Sequence, residues 1–154
     1  MLLSKILQGI NYQMNGNDID ITSIEYDSRK VSKGSLFVAV KGYATDGHLY
    51  IKNAVENGAA AVLAEHGNDY GNITKVITDN TRIGLATASA NFYGNSGKRL
   101  KIIGVTGTNG KTTTTYLIKQ IFDLLGYKTG LIGTNQNMIG DRVLPASRTT
   151  PESL

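Results

Sequence analysis

The sequence contains no cysteine among its 154 residues, and this absence excludes several kinds of chemistry. Disulfide bonds, thiolate metal sites and cysteine nucleophiles all need a thiol, so none of them is available to this chain. No apolar stretch approaches the roughly 20 residues that a membrane-spanning helix needs, and residues 1–5 lack the build of a signal peptide. We therefore expect a cytoplasmic protein with no membrane partner.

A large excess of one charge is also lacking. Sixteen Lys and Arg against twelve Asp and Glu give a net charge of +4, and the charges are scattered apart from a short cluster at Lys98–Lys101. This balance suits an anionic small molecule and is too weak to indicate a nucleic-acid partner. With 40% hydrophobic residues, the chain has enough apolar material for a packed core.

One glycine-bearing turn lies between an apolar run and an amphipathic helix pattern. Ile102–Val105 predicts a strand and Leu117–Leu125 predicts the apolar side of a helix. Glycines between them allow a tight turn whose N–H groups point inward, towards the positive end of the helix. The pattern is typical of a phosphate-binding loop, in which Lys111 reaches the outer phosphates and the Thr112 hydroxyl binds Mg²⁺.

This loop departs from the strict G-x-x-x-x-G-K-[ST] pattern, because Val105 stands five residues before Gly110. The alternative is a glycine-rich surface turn with an exposed lysine. The strand, turn and helix that the motif requires are all predicted here, which favours the phosphate-binding interpretation. The residues assigned to the nucleotide are Gly107, Thr108, Asn109, Gly110, Lys111, Thr112 and Thr113.

Before this loop, predicted strands alternate with predicted helices. The strands are Asp18–Ile24, Leu36–Val40, Ala60–Ala64 and Lys75–Thr78, and the helical patterns carry Ile51, Ala54 and Val55, then Ile83, Ala86, Ala90 and Tyr93. Gly94–Lys98 has the composition of a linker, so we place a domain boundary after residue 97. The expected fold class is α/β: a mixed α/β domain at 1–97, followed by a P-loop, Rossmann-like domain from residue 98.

Little of that second domain follows the loop. We expect a strand at Thr129–Thr134, parallel to the strand before the loop, and a hairpin around Gly140–Asp141. A nucleotide-binding sheet needs more strands than these, so we expect residues 98–154 to be an incomplete domain and the chain to be an N-terminal piece of a longer protein. An uncovered apolar helix face would make this segment either mobile or prone to self-association.

Several motifs in fixed order resemble the Mur ligases, the ATP-dependent amino-acid-adding enzymes of peptidoglycan synthesis. Gly104–Thr114 resembles their ATP-binding signature. Motifs similar to their N-terminal uridine-nucleotide domain are Asp27–Val31, Gly34–Ala39, Lys41–Gly42, Asp46–His48 and Gly58–Ala59. The tail resembles the members that add the third residue of the stem peptide, through Gly133–Thr134, Ile139–Gly140, Leu144–Ala146 and Thr149–Glu152.

The resemblance implies a role for each matching residue. ATP and Mg²⁺ would be the cofactors, with Lys111 as a catalytic residue that stabilises charge on the transferred group and Thr112 as a metal ligand. The residues implied to contact UDP-MurNAc-L-Ala-D-Glu are Tyr26, Ser28, Tyr43, Ala44, Thr45, Thr149 and Thr150. Of these, the first five would lie at the uridine nucleotide and the last two at the sugar-peptide portion.

The chemistry implied is carboxylate activation. The γ-phosphoryl group of ATP would pass to the D-Glu carboxylate, and the amine of a diamino acid would displace phosphate from the acyl phosphate to form an amide. Meso-2,6-diaminopimelate is the favoured diamino acid, with L-lysine as the other choice. In the family the remaining metal ligands, the adenine pocket and the C-terminal ligase domain lie beyond Leu154, so we expect this chain alone to be inactive.

Several alternatives stay open. Within the family, the chain resembles less closely the members that add D-Ala-D-Ala; outside it, a P-loop nucleotide-binding module and a non-catalytic UDP-sugar-binding domain are the rivals. Ser28 and Arg29 fit either a nucleotide site or a surface turn with a salt bridge. Asp46 is predicted to cap the following helix, and His66 receives no role.

Overall fold

The computed structural model describes residues 1–42, 45–67, 70–145 and 153–154. The chain divides into two compact units, of which the first comprises residues 1–100 with 153–154 and the second residues 101–152. In the part of the chain that is described, no helix has the length and apolar character needed to cross a membrane.

The first unit is a five-stranded sheet with helices on both faces, which confirms the predicted mixed α/β class. Its strands are β1 (Tyr12–Asn15), β2 (Ser23–Glu25), β3 (Ser35–Val38), β4 (Ala59–Ala64) and β5 (Thr74–Thr78), and its α-helices are α1 (Leu3–Ile6), α2 (Ile51–Glu56) and α3 (Thr81–Phe92). The sheet order is β1-β5-β4-β3-β2. Strands β2 to β5 are parallel to one another, and β1 pairs with β5 in the antiparallel direction at the edge.

The core lies on both faces of this sheet. Leu36 and Val38 of β3 pack on one face with residues of α1 and α3, whereas Phe37 packs on the other face with Ile51 and Ala54 of α2. Successive side chains of a strand point to opposite faces, so a strand buried on both faces is mostly apolar. All four residues of β3 are buried, and its three apolar residues, Leu36–Val38, belong to the strand predicted at Leu36–Val40.

The buried face of helix α3 differs from the predicted one. Asn80 caps its start, because Asn80 Oδ1 accepts hydrogen bonds from the Arg82 and Ile83 amides, both at 3.0 Å. The buried residues are Thr81, Gly84, Leu85, Ala88 and Ser89, whereas the predicted face includes Ile83 and Tyr93, which are 64% and 56% exposed. That prediction was wrong because the helix lies close to the sheet and therefore presents small residues to it.

The second unit contains α4 (Lys111–Leu124), β6 (Gly130–Leu131), β7 (Gln136–Ile139) and β8 (Arg142–Pro145). Strands β6, β7 and β8 form an antiparallel sheet in that order. The predicted hairpin is confirmed, since β7 and β8 are joined at Gly140–Asp141.

Two strand predictions in this unit were wrong. No described segment pairs with residues 101–106, which lie outside any strand, and β6 pairs antiparallel with β7 instead of parallel to an earlier strand. A strand exists only where a neighbour supplies its backbone hydrogen bonds, so an apolar sequence is not sufficient. A hairpin needs only its own short turn to bring its strands together, which explains why this element was predicted correctly.

A polar cluster at the surface joins the end of α4 to the segment before β6. Lys119 is only 8% exposed, and its Nζ lies 2.5 Å from Asp123 Oδ2. The Thr129 hydroxyl donates to Asp123 Oδ1 at 2.6 Å. The hydrogen bonds from Lys119 and then Thr129 lower the pKa of Asp123, because both favour the carboxylate.

Candidate functional site

The glycine loop of the second unit has the local geometry of an anion cradle. Gly107 and Gly110 have φ of 144° and 78°, values that glycine adopts at far lower cost than other residues. Gly110 directly precedes α4 and has no side chain that could cap it. The N–H groups of the first helical turn have no intrahelical partners, and they lie at the positive end of the helix dipole.

Lys111 already lies over this loop. Its Nζ donates to the Gly107 carbonyl at 2.6 Å and to the Thr108 carbonyl at 3.3 Å. The Lys111 ammonium group therefore bridges the two ends of the turn. It is the same group that the motif assigns to the outer phosphates. All residues from Gly107 to Thr113 are exposed, so an anion has free access to the cradle.

The residues present fit a nucleotide phosphate with its metal ion. The exposed Thr112 stands in the first turn of α4, where its hydroxyl can supply one oxygen ligand to Mg²⁺, an ion that prefers oxygen donors and keeps several waters. Among the described residues, no group of three His, Cys, Asp or Glu is placed to hold a metal. The described residues of this loop therefore combine an exposed glycine turn at a helix start with, in Thr112, a hydroxyl that could serve as a metal ligand.

The second candidate region lies in the first unit, at the carboxyl edge of the sheet. Because β2 to β5 are parallel, the segments that follow them all leave the sheet at the same edge. Ligands of open α/β sheets bind at this edge. The segments are Tyr26–Ser28 after β2, the loop at 39–46 after β3, Glu65–His66 after β4 and Asp79–Asn80 after β5.

Ser28 stands at the start of a 3-10 turn, Ser28–Lys30. Asp27 caps this turn by accepting from the Arg29 amide at 3.1 Å, and it also accepts from Arg29 Nε at 2.9 Å and Nη2 at 2.7 Å. The side-chain hydrogen bonds from Arg29 lower the pKa of Asp27 to about 2. The salt bridge expected for a surface turn is present, because the Arg29 guanidinium pairs with the Asp27 carboxylate.

A residue that the sequence did not single out holds this turn in place. The Asn57 side-chain amide, at the end of α2, donates to the Ser28 carbonyl at 2.9 Å. Ser28 is buried, with 8% of its surface exposed, whereas Tyr26, two residues earlier, is 37% exposed at this edge. Asn57 and Ser28 are 29 residues apart, and no local pattern reports a bond of that separation.

The two ends of the loop after β3 lie close together. Lys41 and Asp46 form an isolated antiparallel bridge, and the Gly42 amide donates to the Thr45 carbonyl at 2.9 Å. Thr45 is exposed. The other predicted substrate contacts, Tyr43, Ala44, Thr149 and Thr150, lie outside the described residues.

Asp46 takes the predicted capping role, because its carboxylate accepts from the His48 amide at 2.9 Å at the start of the 3-10 turn Gly47–Tyr50. The same oxygen lies 2.6 Å from His48 Nδ1. The His48 backbone and then its ring lower the pKa of Asp46. His66, which received no role, stacks on the His48 ring with centroids 4.2 Å apart.

Two domain models of one family match this chain. The Mur ligase family catalytic domain matches residues 20–93, and the Mur ligase middle domain matches residues 105–154. A curated relative from Clostridium tetani, named UDP-N-acetylmuramoyl-L-alanyl-D-glutamate–2,6-diaminopimelate ligase, is 49% identical over 160 residues. The match covers 100% of this chain and 33% of the relative, so the chain spans about a third of the length of the curated relatives it matches.

Solved structures agree with this result. A structure of a UDP-N-acetylmuramoyl-L-alanyl-D-glutamate–2,6-diaminopimelate ligase matches with a TM-score of 0.61 and 27% identity, over 83% of this chain and 26% of that one. The MurF ligase from Thermotoga maritima, in complex with ADP, matches with a TM-score of 0.54 and 31% identity, over 70% of this chain and 24% of that one. Sequence and fold point to one group of proteins, and the chain belongs to the Mur ligase family.

Proposed function

We propose that this chain carries the UDP-substrate edge and the ATP loop of a ligase that adds 2,6-diaminopimelate to UDP-MurNAc-L-Ala-D-Glu during peptidoglycan precursor synthesis. The observation that carries this proposal is the 49% identity, across the whole chain, to a relative named for that activity. A cytoplasmic location and an absence of nucleic-acid or membrane partners are part of the same proposal.

The division of labour follows the two units. Residues 1–97 are proposed as the UDP-substrate domain and residues 98–154 as the beginning of the ATP-binding domain, a division supported by compact units that separate after Leu100. Within the first, Tyr26, Ser28 and the loop residues Tyr43–Thr45 contact the uridine nucleotide. Thr149 and Thr150 contact the sugar-peptide portion.

In the second unit, Gly107–Thr113 bind the phosphates of ATP. The backbone N–H groups at the start of α4 and the Lys111 ammonium hold negative charge in place, which is the main task of a protein in phosphoryl transfer. Thr112 supplies one ligand to Mg²⁺. When bound, ATP would supply the phosphoryl group that activates the substrate carboxylate, and Mg²⁺ would offset the negative charge of the phosphates.

Two choices within the family remain. The names of the curated relatives support diaminopimelate over L-lysine. Ligases that add D-alanyl-D-alanine are also structural neighbours, with 28% identity for an Acinetobacter baumannii protein. The higher identity to the diaminopimelate ligases supports the first assignment.

Calorimetric titration of this chain with three ligands tests the proposal. We expect weak binding of both UDP-MurNAc-L-Ala-D-Glu and ATP–Mg²⁺. Binding of ATP–Mg²⁺ alone would favour a P-loop module, and binding of the UDP-sugar alone would favour a non-catalytic UDP-sugar domain. The third ligand is the UDP-MurNAc-tripeptide. Tighter binding of this tripeptide than of UDP-MurNAc-L-Ala-D-Glu would favour a ligase that adds D-alanyl-D-alanine.

Two substitutions should each weaken the binding of one ligand and leave the other unaffected. Ser28→Ala should weaken binding of the UDP-sugar and leave ATP unaffected, whereas Lys111→Met should remove measurable ATP binding and leave the UDP-sugar unaffected. Lys128→Met, which removes another exposed lysine of the second unit, is the matched control. A ligase assay of the unmodified chain should give no turnover, and turnover above background would overturn the expectation that the chain alone is inactive.

A further inference from the structure

A series of hydrogen bonds crosses the carboxyl edge of the sheet and links segments that follow three different strands. It begins at Asp46 Oδ1, which lies 2.6 Å from His48 Nδ1. The opposite ring nitrogen, His48 Nε2, lies 3.0 Å from the Glu65 amide at the end of β4. The Glu65 carboxylate in turn accepts from the Thr81 amide and hydroxyl, each at 3.0 Å, at the start of α3.

The roles of the two ring nitrogens follow from their partners. A backbone amide can only donate, so His48 Nε2 must be the acceptor of the bond from Glu65. The ring proton therefore lies on Nδ1 and is donated to the Asp46 carboxylate. The His48 side chain is 7% exposed, and both of its polar atoms are satisfied, as burial of a polar group requires.

These bonds converge on the base of the loop after β3. Asp46 is paired with Lys41 across the loop, and the Gly47 amide donates to the Val40 carbonyl at 3.0 Å. On the opposite side, Arg82 Nη2 donates to the Lys41 carbonyl at 3.1 Å. The two ends of the loop are thus attached to β4 through His48 and to α3 through Arg82.

We propose that His48 is a positioning residue for the uridine nucleotide: it does not touch the ligand, but its Nδ1–H tautomer ties Asp46 to the end of β4 and so fixes the described base of the loop after β3, Lys41–Gly42 and Thr45–Asp46. This inference rests on the proposed function, which assigns Thr45 to the UDP-linked substrate. A residue that only stabilised the fold would affect the sheet and the loop alike. A positioning residue affects the loop and the ligand while the sheet is unchanged.

Two substitutions at His48 test the two hydrogen bonds of its ring separately. His48→Asn keeps an amide donor near the position of Nδ1 and loses the acceptor for the Glu65 amide, whereas His48→Gln can place an acceptor near the position of Nε2. The matched control is His66→Asn, because His66 is exposed and its ring stacks on the same imidazole. The measurements are affinity for UDP by titration and hydrogen exchange of the Gly42 and Gly47 amides in the ligand-free chain.

For His48→Asn we expect UDP to bind about fivefold more weakly and the Gly42 and Gly47 amides to exchange about fivefold faster, the scale of one lost hydrogen bond. The amides of β4 and β5 should exchange as in the unmodified chain. His48→Gln should recover part of both losses, and His66→Asn should change neither. If His48→Asn does not fold, His48→Gln against His66→Asn carries the test.

Faster loop exchange with unchanged UDP affinity would overturn the positioning role, and so would equal acceleration throughout β4 and β5. An unmodified chain that fails to bind UDP would overturn the proposed function and the ligand part of this inference together. In that case the exchange rates of Gly42 and Gly47 still decide whether His48 holds the loop, so the two failures are distinguishable.

Discussion

The two units of this chain treat their apolar residues in opposite ways. In the first unit, large side chains such as Phe37, Leu36 and Leu63 are fully buried. In the second, Leu131 is the one apolar residue that is buried among those described. Large hydrophobic residues exposed by more than half in the described part of the second unit are Ile102, Ile103, Leu117, Ile121, Leu124, Leu125, Tyr127, Ile132, Ile139 and Val143.

This contrast shows that different forces shape the two candidate sites. The carboxyl edge of the first unit exists only when the sheet is assembled, since its segments come from four strands. The phosphate cradle depends on bonds within a few residues, such as those from Lys111 to Gly107 and Thr108. Each large apolar side chain left in water forgoes about 1.5–3 kcal/mol of burial, so the second unit should be the less stable of the two.

The largest effect is expected from core truncation in the first unit. Phe37→Ala should lower the free energy of unfolding by about 3–5 kcal/mol, because it leaves a cavity where a fully buried ring stood. Leu124→Ala, at a side chain that is 87% exposed, should change it by less than about 0.5 kcal/mol. Urea denaturation followed by circular dichroism measures both. A cost for Leu124→Ala near that of Phe37→Ala would mean that α4 is covered in solution, which is the predicted self-association.

A second pair of substitutions tests backbone packing. A Cβ at Gly47 would lie 2.7 Å from the Val40 carbonyl oxygen and 2.8 Å from its amide nitrogen, so Gly47→Ala should cost about 1–3 kcal/mol of stability. Gly104→Ala in the second unit meets no atom within 4 Å and should cost less than about 0.5 kcal/mol. Thermal denaturation of both variants gives the comparison, and equal melting temperatures would contradict it.

Asn57→Ala tests whether a tertiary hydrogen bond positions Ser28, in contrast to the local bonds of the loop before α4. Loss of the bond to the Ser28 carbonyl should cost about 1 kcal/mol of stability and weaken UDP binding, while ATP binding by the second unit stays unchanged. Asn53→Ala, at an exposed position of the same helix, is the control. If the two variants bind UDP equally well, Asn57 does not position Ser28.

The smallest change in stability is expected when the pH is lowered far enough to protonate Asp27. The pKa of Asp27 is lowered to about 2 by its hydrogen bonds from Arg29, so the stabilisation is present above about pH 4 and is lost as the pH falls towards 2. Carboxyl titration by NMR should place the Asp27 midpoint well below its ordinary value of 3.8. Arg29→Gln should raise that midpoint. A midpoint near 3.8 in the unmodified chain would show that the ion pair does not form.

Features decided within a few residues were predictable from the sequence. The strand predicted at Leu36–Val40, the Asp46 cap and the hairpin at Gly140–Asp141 all depend on neighbours in the chain. Strand β1 was missed because Tyr12–Asn15 is mostly exposed and lacks the apolar alternation of a strand. It forms because β5 offers an edge for antiparallel pairing.

The face of α3 was predicted wrongly for a related reason. Counting large apolar residues selects Ile83 and Tyr93, yet a Cβ at Gly84 would lie 2.9 Å from Leu63 Cδ2. A helix that approaches a sheet so closely turns small residues towards it. The bonds of His48 and Asn57 likewise join residues 17 and 29 positions apart, and no local pattern reports them.

By itself, the sequence determined the family, the glycine turn before α4 and the order of most elements, because these depend on residue types at short spacing. Tertiary structure decided that β1 formed and that Ile102–Val105 did not become a strand, which face of α3 was buried, and how the carboxyl edge was held. Ile102–Val105 has the composition of a strand but no partner among the described residues, whereas polar β1 has one. Backbone pairing and close packing depend on what lies alongside a segment, and this information is not contained in the segment itself.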